Sequence, residues 1–73
     1  MNKTIIHSYG EPFTCKSFFD IDTQKNGVDV YQKTGKHIGE ILGLEIPDFE
    51  NDEKTTFEEF EQAVDKWLEE NFW

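Results

Sequence analysis

Arginine is absent from this chain of 73 residues. Its seven cations, all lysine, stand against sixteen acidic residues for a formal net charge of −9. Direct binding to nucleic acid depends on cations set against phosphates, so an arginine-free, net-negative chain argues against it. The same deficit argues against an anionic membrane surface. Cysteine occurs once, at Cys15, which excludes an internal disulfide and any zinc site built on several cysteines, and fits a reducing compartment. No apolar run, including the opening MNKTIIHSYGEPF, reaches the length of a signal peptide or a membrane span, so the expectation is a soluble, cytoplasmic protein. Repeats, low-complexity tracts and dividing linkers are missing too, which leaves residues 1–73 as a single small α+β domain. No catalytic, cofactor or metal signature is present, so the expectation is a non-enzymatic protein with no cofactor.

What the chain does have is aromatic residues, at 15% of its composition. They matter in a domain of this size, which buries only about 60% of the surface its unfolded chain exposes. Each buried Phe or Trp removes roughly 150–250 Å² from water. They are most ordered in the last third, Thr55 to Trp73. Phe57, Phe60, Val64, Trp67, Leu68 and Phe72 recur there at steps of three and four, the stripe of an amphipathic helix. The opposite side carries Glu58, Glu59, Glu61, Asp65, Glu69 and Glu70, with Lys66 as its only cation. Thr55-x-x-Glu58 and Thr56-x-x-Glu59 both fit a capping box at its start. Acids in the first turn suit the helix dipole, whereas Glu69 and Glu70 oppose it at the other end.

An apolar stripe needs a surface to lie on, and the preceding residues read as strands. Thr4 to Ser8 is a short β-prone run, either an edge strand or a frayed arm, ended by Gly10 and Pro12. From Phe13 to Ile21, Phe13, Cys15, Ser17, Phe19 and Ile21 share one face, and Phe18 breaks the alternation on the other. Asp22 to Gly27 reads as a turn, with Asn26-Gly27 suited to positive φ. Val28 to Gln32 and Lys36 to Leu42 form the next hairpin around Lys33-Thr34-Gly35. A three-residue connection pairs Gln32 with Lys36, Tyr31 with His37 and Val30 with Ile38. A two-residue turn would set Asp29 against Glu40, so the first register is preferred. Gly39 and Gly43 suggest a bulge or a close approach by the helix's large aromatics. Glu45 to Lys54, with Pro47 and its acids, reads as a crossing loop anchored by Ile46 and Phe49. The architecture expected is α+β: a three- or four-stranded antiparallel meander with one C-terminal amphipathic helix packed on one face.

Candidate chemistry is sparse. Asp20-x-Asp22-x-Gln24-x-Asn26-Gly27 has calcium-loop oxygen spacing, but counting from Asp22 puts Lys33 where a bidentate Glu is needed, which favours a hairpin turn. Cys15, His7 and His37 are the only nucleophile or soft-ligand candidates. Nothing beside Cys15 in sequence activates it, so a partly buried thiol and two ordinary strand histidines are expected. The carboxylates of the helix fall on a solvent-facing stripe rather than in a buried pair fit for acid–base work.

The run from Val30 to Asn71 resembles short uncharacterised acidic proteins of Gram-positive bacteria and their phages. These share a "vY…tGk.iGei.g" hairpin, an acidic "IPD" loop and an acidic amphipathic helix. Ile46-Pro47-Asp48-Phe49 and Phe57-Glu58-Glu59-Phe60 also resemble the HicB class of antitoxins, though the glycine–cysteine turn that follows the PD there is missing. No activity comes with the first resemblance, although a phage-type inhibitor or nucleic-acid mimic would fit it; the second implies an antitoxin fragment.

The charge pattern gives the functional expectation. Residues 1–44 hold five lysines and five acids and are neutral, whereas residues 45–73 hold two lysines against eleven acids. Glu61 with Asp65, and Asp65 with Glu69, are like-charge pairs at i,i+4 that cost the helix about 0.2–0.5 kcal/mol each. The expected role is an acidic interaction protein that presents its loop and helix, residues 45–70, to a basic protein surface. Asp48, Glu50, Asp52, Glu58, Glu61, Asp65 and Glu69 are the candidate contacts, with Trp73 as an exposed aromatic anchor. The contrasting expectations are a small enzyme or metal site built from Cys15, His7 and His37, a homodimer or larger oligomer joined through an open sheet face or edge, and a small soluble domain whose acidic face only solubilises it.

Overall fold

A computed structural model describes residues 3–43, 45–47 and 54–73. Four strands run β1 (Thr4–Ser8), β2 (Glu11–Asp20), β3 (Lys25–Gln32) and β4 (His37–Ile41), followed by one helix, α1 (Phe57–Asn71). The strands pair antiparallel in sequence order, a meander with β1 and β4 at its edges. The chain thus has the expected α+β architecture, and Thr4–Ser8 is a paired strand rather than an arm.

The β1–β2 hairpin sets Ser8 opposite Glu11, so only Tyr9 and Gly10 turn the chain. Both have positive φ, 52° and 79°, the pattern of a type I′ turn whose twist matches the strands. Tyrosine is an uncommon residue there, because its Cβ crowds the backbone at positive φ.

The β2–β3 turn is shorter than expected. It spans only Ile21 to Gln24, and Asn26 and Gly27 lie inside β3 opposite Phe19 and Phe18. The Asp20 carboxylate builds this turn. It accepts from the Asp22 amide at 3.1 Å and from the Thr23 hydroxyl at 3.0 Å, while the Asp20 carbonyl accepts from the Gln24 amide at 2.7 Å. Gln24, not Gly27, takes the positive φ, at 57°. The oxygen-rich spacing here belongs to a self-satisfied turn.

At the β3–β4 connection, Gly35 has φ 92° and its amide donates to the Gln32 carbonyl, giving the expected three-residue loop. Tyr31 faces His37 as expected. The register then shifts, so Val30 faces Gly39 instead of Ile38, and Asp29 comes to lie opposite Glu40. That like-charge pair is relieved because Asp29 Oδ1 meets His37 Nε2 at 3.1 Å. Packing decides the shift. A Cβ on residue 39 would stand 2.9 Å from the Trp67 ring, so the bulge puts the one residue without a side chain under the helix's largest one.

The core is one cluster between sheet and helix. Ile6, Phe13, Cys15, Val28, Val30 and Ile41 supply the sheet side, with Ile46 from the crossing segment and Phe60, Val64 and Leu68 from α1. Trp67 and Phe72 are partly buried against it, while Phe57 is 41% exposed at the helix start. The expected inward face of β2 is buried only at Phe13 and Cys15. Phe19 and Ile21 are 61% and 79% exposed, because the covered part of the sheet ends near Ser17. Ile46 is the anchor expected of it; Phe49 lies outside the described residues. No helix among the described residues is long and apolar enough to cross a membrane.

Candidate functional site

Of the two threonines that could cap α1, Thr56 does so. Its extended backbone breaks the helix and its Oγ1 accepts from the Glu59 amide at 3.2 Å. Glu58 and Glu59 then sit in the first turn, beside the free amides that favour negative charge. At the far end no basic residue offsets the dipole. Instead the Asn71 side-chain amide donates to the Trp67 carbonyl at 2.9 Å, and the Phe72 and Trp73 amides both close on the Leu68 carbonyl at 2.8 Å. This closure turns Phe72 and Trp73 back toward the sheet.

The acidic face divides into two parts. Glu58, Glu59, Glu69 and Glu70 are exposed, and Glu61 and Asp65 are half-buried. Asp65 therefore departs from the solvent stripe expected of it. Its Oδ1 accepts a hydrogen bond from the hydroxyl of Ser8, which is buried to 1% exposure at the end of β1. The Ser8 oxygen in turn accepts from Trp73 Nε1 at 3.1 Å. One turn further along the helix, Glu69 Oε1 accepts from the Tyr9 hydroxyl at 2.6 Å. Two of the predicted contacts are thus held by the β1–β2 turn. That turn also explains why Glu69 is tolerated where the dipole disfavours it: it receives a hydrogen bond there. The bond to the Glu69 carboxylate, then its charge, with lesser contributions from burial and Asp65, raises the Tyr9 phenol above its ordinary value.

Trp73 is exposed as expected, but it is not free of the rest of the chain. It is 48% exposed and packs edge-to-face with Tyr9, Phe13 and Phe72, at ring-centroid distances of 5.3, 5.9 and 5.0 Å. Sequence reasoning missed Ser8 and Tyr9 as its partners. Their one signal was the pair of acids, Asp65 and Glu69, standing where helix physics alone disfavours them. Asp48, Glu50 and Asp52 lie outside the described residues.

On the other flank of α1, Ile41, Ala63 and Trp67 floor an open groove rimmed by Glu45, Lys66 and Glu70. No ion pair joins a helix carboxylate to a lysine among the described residues; the pair formed there is His37 with Asp29.

The nucleophile and ligand candidates are kept apart. Cys15 is fully buried in the core, and burial pushes its thiol up to about 12. His7 alternates with buried Ile6 and Ser8 and so faces away from α1, as does His37, paired with Tyr31 next to buried Val30. The sheet therefore stands between the thiol and both imidazoles. No group of three or more His, Cys, Asp and Glu side chains suited to a metal ion occurs among the described residues.

Compared with known proteins, the chain matches no family model, no curated protein and no solved structure.

Proposed function

We propose that this protein is a non-enzymatic acidic interaction module, which docks the outer face of α1 and the loop before it onto a basic surface of another protein. A nucleic-acid-binding groove is the kind of surface meant, and the protein would inhibit by occupying it. The observation that carries this reading is the placement of charge. Residues 45–73 hold the whole net charge of −9, while residues 1–44 are neutral. The exposed carboxylates Glu58, Glu59 and Glu70 add to it, since a dense acidic face whose only cation is Lys66 keeps most of its field available to a partner.

The test is a binding measurement on the protein captured from host lysate by the immobilised chain. The wild-type interaction is expected to hold at about 50 mM salt and to weaken steeply by about 500 mM, where the Debye length has shrunk from ~14 Å to ~4 Å. A variant with Glu58, Glu59, Glu61 and Glu70 all changed to Gln is expected to lose most of the affinity. Equal binding by that variant, or indifference to salt, would overturn the reading.

A further inference from the structure

We propose that the corner formed by Tyr9, Trp73 and Glu69 receives an arginine side chain of the partner protein; this inference rests on the function proposed above and names its anchor point. Tyr9 and Trp73 are 70% and 48% exposed, and their rings stand nearly perpendicular, at 81°. Exposed aromatics usually have freedom to turn, but these two are held by their polar ends. The Tyr9 hydroxyl donates to Glu69 and the Trp73 indole nitrogen donates to Ser8. Phe13 and Phe72 fix the Trp73 ring from the core side. With both polar tips engaged, the ring surfaces themselves are what the corner offers a ligand.

The chemistry around those rings selects a cation. The ionisable groups beside Tyr9 are Glu69 and Asp65, both carboxylates, and neither is paired with a lysine among the described residues. Glu69 is exposed and accepts the Tyr9 hydroxyl at Oε1, and a carboxylate has a second oxygen with which to accept from a ligand. A cation over a ring face gains from the π quadrupole, and this chain already uses that geometry elsewhere: Lys16 Nζ lies 5.0 Å from the Tyr31 ring centroid on the open side of the sheet. A guanidinium suits the corner better than an ammonium. It is planar, so it can stack on one ring while its edge donates to Glu69. Since the chain contains no arginine, the occupant comes from a different protein and not from a second copy.

The experiment uses the full ¹⁵N-labelled chain at low salt and follows its amide and indole signals during titration with a Gly-Gly-Arg-Gly-Gly peptide blocked at both ends. Parallel titrations use the same peptide with lysine, and with citrulline, the uncharged shape analogue of arginine. The expected result is a saturating shift of the Trp73 indole and the Tyr9 and Gly10 amides with the arginine peptide. The lysine peptide should act more weakly, citrulline should have no effect, and the Trp67 indole should stay still. Trp73→Leu is expected to weaken binding by about two- to five-fold, the range of an exposed cation–π contact. Tyr9→Phe keeps the ring and should keep most of the binding. Equal shifts with lysine, or shifts confined to the amides of Glu58, Glu59 and Glu61, would overturn the arginine corner while leaving the acidic-module reading intact. No shift anywhere in the chain would count against both.

Discussion

Cys15 shows how a single residue can be placed by pattern and yet be governed by its surroundings. Alternation along β2 puts it on the inward face with Phe13, and burial there raises the thiol from an ordinary value near 9 to about 12. The folded state therefore favours the neutral thiol. That contribution to stability is complete below pH 9 and declines as the pH rises toward 12, at up to about 1.4 kcal/mol per pH unit. The Tyr9 phenol, raised by its hydrogen bond to Glu69, acts in the same direction. Denaturant unfolding of the wild type should lose stability more steeply between pH 9 and 11 than Cys15→Ala does; parallel slopes would show that the thiol is not the cause. Tyr9 is the counter-example at this scale. Its position in a two-residue turn contradicts the preference of its residue type, and only its contacts with Glu69 and Trp73 account for it.

Among the elements, α1 was the most legible, because six apolar residues at helical spacing have no other economical arrangement. Its cap was ambiguous between Thr55 and Thr56, since both have an acid three residues on. The structure uses Thr56, whose hydroxyl accepts from the Glu59 amide. Thr56→Ala should accordingly lower stability by about 1 kcal/mol, read from denaturant midpoints at constant m-value. The strands were legible in order, but their number stayed open between three and four because Thr4–Ser8 could equally have been an arm, and their ends were less legible. The β2–β3 turn was misplaced because Asn26-Gly27 is a strong local turn signal. The Asp20 side chain provides a competing turn just before it, at Ile21 to Gln24. Gly27 is required inside the strand for space: a Cβ there would stand 2.5 Å from the Ile41 carbonyl oxygen and 2.7 Å from the Phe18 ring. The bulge in β4 has a similar origin, since the demand of Trp67 for Gly39 outweighs the local repulsion of Asp29 and Glu40.

For the molecule as a whole, charge is segregated: residues 1–44 are neutral and residues 45–73 hold all nine excess negative charges, and the sheet lies under a helix that carries six acids against one lysine. Self-repulsion among them opposes the compact state and is screened by salt. The melting temperature of the isolated protein is therefore expected to rise between about 20 and 300 mM sodium chloride. Binding to a basic partner should weaken over the same range. Opposite salt responses of stability and binding would both follow from one charge distribution, whereas a melting temperature that falls with salt would place the acids in stabilising ion pairs.

The amino-acid sequence by itself determined the class of fold, the strand order, the helix and its buried stripe, and the confinement of charge to the last 29 residues. Those features follow from periodicity and composition, which are local or additive. Tertiary structure alone decided what happens where distant residues meet. It drew Ser8 to Asp65 and Trp73, because a buried hydroxyl must find partners once water is excluded, and it brought Tyr9 to Glu69 at the exposed edge of the same corner, across some sixty residues of chain. Part of what looked like a uniform acidic face thereby became a structural seam with an aromatic corner beside it.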